Sequence, residues 1–258
     1  MSEEFGQNEF IYESQADLVI GIDFGTTFSG VAWAHTGSLT RTTDKRQLAQ
    51  EVTVIKQWPG HGQAEKIPTV IAYHSSPPSW GFKLKSADGQ RVAHFKLGLQ
   101  KNVQEHYPTS PASKTSLLGG YLVDHNWQHP ELPGKKALDF ASDYLKGVCN
   151  YVLTESHTRV FAPEFLQRQR VSYVITVPAI WRDEAKELTK QAAERAGINR
   201  RNLMLITEPE VAALYCAHLC EQSDIKVGDR FLICDAGGGT VVNPPNNLIV
   251  IYSGSHNL

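Results

Sequence analysis

The sequence predicts an α/β domain in which a mixed sheet is flanked by helices. Three observations lead there. Two glycine-rich turns, each led by an aspartate, close short apolar runs near the two ends of the chain: LVIGIDFGTTFSGVAW, with Asp23, and FLICDAGGGTVV, with Asp235. Between them, the stretch from 136 to 236 alternates strand and helix patterns in the rhythm that parallel pairing under covering helices produces. At the front, the runs on either side of the first turn form a hairpin, which makes the sheet mixed.

Along the chain, residues 1–16 (MSEEFGQNEFIYESQA) read as a disordered leader. A strand over 18–23 enters the first turn, and SGVAWAH (29–35) alternates as the strand leaving it. Residues 36–66 are polar and mixed, with TGS (36–38) as a hairpin turn and PGHG (59–62) as a loop. IPTVIAYH (67–74) is a third strand run. The Pro-, Ser-, Gly- and His-rich stretch 75–134 reads as loops and short helices, a loop-rich insert rather than a core layer.

Regular pattern returns at 136–156, where Leu138, Ala141, Leu145, Val148 and Val152 share one helical stripe. VSYVITVP (171–178) is a β-branched strand stopped by Pro178. Asp183 is placed to cap a helix over 184–196, with Ala185, Leu188, Ala192 and Ala196 inward and Gly197 ending it. LMLI (203–206) is a strand, followed by Glu208, by Pro209 in a helix first turn, and by a helix over 210–221. FLICDA (231–236) closes the series.

Bulk properties narrow the functional classes. A chain of 258 residues with 41% hydrophobic content builds a core as one large domain or two smaller ones. Its net charge of −2 and pI near 6.5 give no electrostatic reason to expect nucleic acid or an anionic membrane. The leader lacks the basic and then apolar layout of a secretory signal, and no apolar run approaches the ~18 residues of a membrane span. Cys149, Cys216, Cys220 and Cys234 all fall inside predicted helices or strands, the pattern of reduced, buried thiols in a cytoplasmic protein. Cys216 and Cys220 lie on one helical face without a third ligand, which favours packing over metal binding.

The two turns carry the chemistry. Gly25 with Thr26 and Thr27, and Gly237, Gly238 and Gly239 with Thr240, let the backbone approach a ligand closely and aim successive N–H groups at a phosphate oxygen. An aspartate at a strand end suits Mg²⁺, which binds carboxylates while keeping several waters. Two such turns grip one polyphosphate from opposite sides. One turn alone is more often a simple hairpin.

With those motifs in order, the chain resembles the ATPase domain of the 70-kDa heat-shock chaperones, within the actin-like ATPase superfamily (ribonuclease H-like fold). IGIDFGTTFSGVAW resembles the first phosphate loop, and VITVPAIWRDEAKELTKQAAERAGI the connecting segment that begins with Val-Pro. LITEPEVAALY is similar to the strand–helix junction of the family, with Thr207 in place of its Asn. KVGDRFLICDAGGGTV resembles the second phosphate loop, in the large, divergent eukaryotic branch. The matching segments cover 17–35 and 171–241; residues 36–170 match in layout only.

The resemblance implies ATP and Mg²⁺ as cofactors, and ATP or ADP and unfolded client proteins as partners. It gives Asp23 and Asp235 the orientation of Mg²⁺ through water. Gly25, Thr26 and Thr27 would hold the terminal phosphates, opposed by Gly237, Gly238, Gly239 and Thr240. Glu208 aligns with the glutamate that positions the attacking water, and Pro178 with the proline that relays nucleotide state. Lys96, in HFKLG, is the candidate for the catalytic lysine. By the same resemblance, 17–207 is a first lobe, with 75–134 as insert, and 208–242 begins a second.

Plainer readings stand beside these. Glu208 also suits a helix start, Lys96 a solvated surface position and Pro178 a strand stop. His125 and His129 in DHNWQHP read as surface histidines beside Pro130. Trp33, Trp80, Trp127 and Trp181 read as packing.

The family pattern breaks after the second turn. Its next aspartate is replaced by Val242, and Asn243, Pro244, Pro245, Asn246 and Asn247 end the strand, since consecutive prolines cannot donate to a ladder. The segment 243–258 is therefore expected to be an atypical tail, and the chain truncated after the second phosphate loop. Three functions remain open: an ATP-binding chaperone-type ATPase, a non-catalytic nucleotide- or protein-binding fragment, and a small-molecule kinase of the same superfamily, against which the Val-Pro-Ala and Glu-Pro segments argue.

Overall fold

The computed structural model describes residues 16–36, 51–74, 76–85, 91–100, 132–156 and 169–219. β1 (Leu18–Asp23) alternates buried Leu18, Ile20 and Ile22 with half-buried Val19, Gly21 and Asp23, the period of two that a strand over a core requires. It pairs antiparallel with β2 (Phe28–His35), which sets Asp23 opposite Gly30. On its other side it pairs in parallel with β8 (Val171–Val177), Ile22 opposite Ile175. β8 in turn pairs in parallel with β9 (Leu203–Thr207), Val177 opposite Thr207. The edge beyond β2 is short: β3 (Thr53–Val54) and β4 (Ile67–Pro68) each pair with it. The sheet is thus mixed, in the order β3–β2–β1–β8–β9. The carboxyl ends of its parallel members share one edge.

The single strand expected over 67–74 is two strands. Pro68 ends β4 because it has no N–H for the ladder, and the Thr69 N–H donates instead to the Thr27 carbonyl oxygen at 2.8 Å. β5 (Val70–Ala72) then joins a separate antiparallel sheet between β6 (Ser79–Trp80) and β7 (Arg91–Ala93). A 3₁₀ turn over Phe95–Leu99 follows. Within the stretch expected to be loops and short helices, Trp80, Val92, Phe95 and Leu99 belong to the same buried cluster as the main sheet.

α1 (Ala137–Tyr151) starts where the Lys136 N–H donates to Asp139 Oδ2 at 2.8 Å, and it runs on into one π-helical turn over Val152–Ser156. Of its expected stripe, Ala141, Leu145, Val148 and Val152 are buried, while Leu138 is only partly so. Phe140 and Tyr144 widen the buried face. α2 (Asp183–Arg195) packs against α1 and buries Ala185, Ala192 and Ala193. Asp183 is not its cap, contrary to expectation: Arg182 holds that position without a side-chain cap bond. Asp183 is the first helical residue, paired with Lys186 one turn on at 3.7 Å. Gly197 does end the helix, at φ +103° with its N–H on the Glu194 carbonyl oxygen, a conformation that few other residues adopt cheaply.

α3 (Glu208–Leu219) begins two residues before the expected start. The cause is a reciprocal cap across Thr-x-x-Glu. The Thr207 N–H and hydroxyl donate to Glu210 Oε2 at 2.9 and 2.6 Å, and the Glu210 N–H returns to Thr207 Oγ1 at 3.4 Å.

The core shared by β1, β8, α1 and α2 is rich in rings. Phe24 lies 6.2 Å from Tyr144 and 6.3 Å from Phe95, and Trp80 meets Tyr144 and Tyr151 edge-on. Trp33, Trp80 and Trp181 are buried, as the packing reading expects. Cys149 is buried in α1, but Cys216 is exposed on α3, which corrects the expectation of uniformly buried thiols. On that helix Leu214 and Tyr215 are exposed as well, so among the described residues nothing layers over that face. No described helix is long and apolar enough to cross a membrane.

The leader 1–15, Gly37 and Ser38 of the expected hairpin turn, the DHNWQHP segment with His125, Trp127 and His129, Cys220, Cys234, the FLICDA run and the tail 243–258 lie outside the described residues.

Candidate functional site

Chain direction and register bring the first turn and the strand–helix junctions to one edge of the sheet. β1 ends at Asp23, β8 ends one residue before Pro178, and β9 ends one residue before Glu208. In open α/β sheets this carboxyl edge is where ligands bind, because the connections diverge there and leave a crevice.

Asp23 is held from two sides. Its Oδ1 accepts from the Thr176 hydroxyl at 3.1 Å, and its Oδ2 lies 2.9 Å from Lys66 Nζ. Thr176 follows Ile175, the partner of Ile22, so the parallel register itself puts the hydroxyl beside the carboxylate. Next to Asp23 the backbone folds tightly: the Gly25 N–H donates to the Asp23 carbonyl oxygen at 3.1 Å. A Cβ at Gly25 would fall 2.0 Å from the Phe28 carbonyl oxygen, so only glycine fits there. Thr26 and Thr27 follow, half-buried, and the Thr27 carbonyl is tied to the Thr69 N–H.

Lys96 is the second centre. Its side chain is 2% exposed, and its Nζ lies 2.8 Å from Glu208 Oε1. The ammonium also sits 5.7 Å from the centroid of Phe24 and 5.3 Å from that of Trp181, within range of cation–π attraction. These contacts overturn the reading of Lys96 as a solvated surface lysine. They also make Trp181 more than packing. The left-handed backbone of His94, at φ +58°, turns the chain into the 3₁₀ segment that carries Lys96 inward. Because Thr207 and Glu210 cap α3 between themselves, Glu208 is left to face the lysine.

Of the residues proposed from sequence, Asp23, Gly25, Thr26 and Thr27 share the first turn, and Lys96 and Glu208 form a pair. Phe24, the residue after Asp23, joins the two groups through its contact with the Lys96 ammonium. Asp235, Gly237, Gly238, Gly239 and Thr240 lie outside the described residues. Sequence reasoning missed Lys66 and Thr176. Thr176 had a signal, as a hydroxyl one residue before the Val-Pro strand end; Lys66 had none, being one lysine in a polar loop.

Carboxylate, two ammonium groups, paired threonines and a turn that admits only glycine fit a hydrated divalent cation and a polyphosphate. The aspartate suits the metal, and the cations and close backbone suit the phosphates. The mixed sheet, the flanking helices and this Asp-led turn at the carboxyl edge agree with the actin-like ATPase fold that the resemblance implies.

Comparison with known proteins narrows the class. The chain is 27% identical over 240 residues to Heat shock 70 kDa protein 12A of Homo sapiens, covering 90% of this chain and 33% of that protein. It is 28% identical over 229 residues to Chaperone protein HscA homolog of Actinobacillus pleuropneumoniae, covering 88% of this chain and 32% of that one. Against Heat shock protein 70 homolog of Acanthamoeba polyphaga mimivirus the identity is 26% over 250 residues, covering 88% and 23%. No family model matches the chain. The chain spans about a third or less of the length of these relatives. Across most of its length the chain is similar to the heat-shock-70 ATPase domain, in a divergent form.

Proposed function

We propose that this chain binds ATP with Mg²⁺ at the carboxyl edge of its sheet and hydrolyses it, as a chaperone-type ATPase. The observation that carries the reading is the contact between Lys96 and Glu208 beside the turn of Asp23. A buried ammonium is costly unless paired, and here it is paired at the edge where a ligand would arrive. Phosphoryl transfer to water asks little covalent chemistry of a protein; it asks for a cation on the transferred group, an oriented water and fixed charges.

In this reading Asp23 orients the hydrated metal, with Thr176 fixing its carboxylate. The Gly25 backbone, Thr26 and Thr27 hold the terminal phosphates. Lys96 is held in place by Glu208 until it can stabilise charge on the terminal phosphate, and Glu208 also orients the attacking water. Bound Mg²⁺ would supply charge neutralisation between the phosphates. Asp235, with Gly237, Gly238, Gly239 and Thr240, would oppose the first turn from a second lobe beginning near residue 208. Unfolded client proteins are the partners that similarity to chaperones suggests.

The test is calorimetric titration of ATP with Mg²⁺ alongside a phosphate-release assay. Asp23→Ala is expected to weaken Mg²⁺-dependent binding. Lys96→Ala and Glu208→Ala are expected to lower turnover about 10²-fold or more while leaving affinity within a few-fold, because each removes an interaction that strengthens in the transition state. Binding that is absent in the unaltered chain, or indifferent to Asp23→Ala, would sink the proposal. Val242, standing where the family has an aspartate, favours one second reading, a non-catalytic nucleotide-binding module. Tight binding without turnover would select it.

A further inference from the structure

We propose that Lys66 is a built-in counter-ion of Asp23, competing with a hydrated divalent cation for the same carboxylate and thereby flattening the metal dependence of nucleoside triphosphate binding. This rests on the nucleotide-site reading above and adds to it a residue that regulates the site.

Lys66 reaches Asp23 by construction, not by chance of a long side chain. It directly precedes β4, whose Ile67 and Pro68 pair with Ser29 and Phe28 of β2. That pairing is locked by the buried hydrogen bond of 2.8 Å between the hydroxyls of Ser29 and Thr69. β2 also sets Gly30 opposite Asp23. The lysine stem runs across this glycine: a Cβ placed at Gly30 would lie 3.8 Å from both Lys66 Cγ and Asp23 Cβ, and 4.0 Å from Lys66 Cε. Three strands therefore deliver the ammonium to Oδ2 at 2.9 Å.

Thr176 orients the same carboxylate through Oδ1, so the ammonium at Oδ2 stands where the water shell of a metal would also seek an acceptor. A hydrated divalent cation arriving there must displace the ammonium or bear its repulsion at close range. The ion pair is breakable, because its side chains are 55% and 41% exposed and solvent screens both charges. Lys96 does not share this behaviour, being 2% exposed and held by Glu208. The two lysines divide the work: one is fixed for the terminal phosphate, and the other guards the metal carboxylate.

The experiment measures ATP affinity of the full 258-residue chain by calorimetry, once in saturating Mg²⁺ and once in EDTA, and takes the ratio. Removing a competitor of this strength, as in Lys66→Met, is expected to raise the ratio about two- to fivefold. Lys66→Arg, which keeps the charge, is expected to retain the ratio of the unaltered chain. Should Lys66→Met fail to fold, Lys66→Gln carries the same expectation, and thermal melting identifies which variant is folded. A ratio unchanged or lowered in a folded variant overturns the inference and leaves the nucleotide site standing; a lowered ratio would mean that the lysine assists the metal. ATP binding by none of the proteins in either condition overturns the site and the inference together.

Discussion

Lys96 Nζ and Glu208 Oε1 lie 2.8 Å apart although 112 residues separate them in the chain. The lysine sits on a 3₁₀ segment after β7 and the glutamate opens α3, so the contact spans the small sheet and the end of the main one. Its side chains are 2% and 23% exposed, so the lysine depends on its partner far more than the glutamate does.

Breaking this pair is expected to be costly. Glu208→Gln leaves a buried ammonium without a counter-charge and is expected to lower stability by about 2–4 kcal/mol in urea unfolding. The double variant Lys96→Met with Glu208→Met is expected to recover most of that loss, since methionines pack well between the rings of Phe24 and Trp181. A double variant no more stable than Glu208→Gln would mean that the charges themselves stabilise the fold.

Gly25→Ala is expected to be far worse than an ordinary surface change. The added Cβ meets the Phe28 carbonyl oxygen at 2.0 Å, so the turn must open. A loss of about 1–3 kcal/mol follows from overpacking of this kind, with a lower melting temperature and weaker ATP binding. Gly62→Ala, where a Cβ would have nothing within 4 Å, is the control and is expected to melt near the unaltered chain.

Cys149 and Cys216 are expected to differ sharply in thiol labelling. Burial pushes the Cys149 thiol up to about 12, so the nucleophilic thiolate is scarce at neutral pH and the sulfur is inaccessible. Cys216 is exposed. Peptide mapping after brief iodoacetamide treatment of the native chain is expected to find modified Cys216 and intact Cys149. Equal labelling would mean that α1 opens readily.

Acid stability should register the pair of Asp17 and Arg170, which ties the start of β1 to that of β8. The Arg170 side chain, and then its backbone N–H, donate to the Asp17 carboxylate and hold it down at about 2, against 3.8 for the ordinary group. A depressed carboxylate stabilises the fold above its unfolded value and loses that contribution as pH falls towards its folded value. Melting temperature is therefore expected to drop between about pH 4 and pH 2 more steeply in the unaltered chain than in Asp17→Asn. Parallel curves would remove the pair from the account of acid stability.

Much of the main sheet was legible because its signals are local. The alternation in LVIGID, the β-branched run VSYVITV and the alanine stripe of α2 each announce an element within a few residues. Misreadings came where a local signal had a rival. Asp183 looked like a cap but lies inside the helix, and Thr207 with Glu210 forms the cap that moves the start of α3 back to Glu208. The run 67–74 looked continuous, yet Pro68 and the hydrogen bond from Thr69 to the first turn divide it between two sheets.

By itself, the sequence determined that a strand ends at Asp23 in a turn that glycine makes tight, and that parallel strand–helix units follow. Residue type and spacing along a short stretch suffice for that. Only the tertiary structure decided that Lys96 is buried against Glu208, that Thr176 and Lys66 share the carboxylate of Asp23, and that Trp181 flanks an ammonium. Those relationships join segments that the chain holds far apart. They depend on strand register and on which loop the core pulls inward, and neither is written in any local pattern.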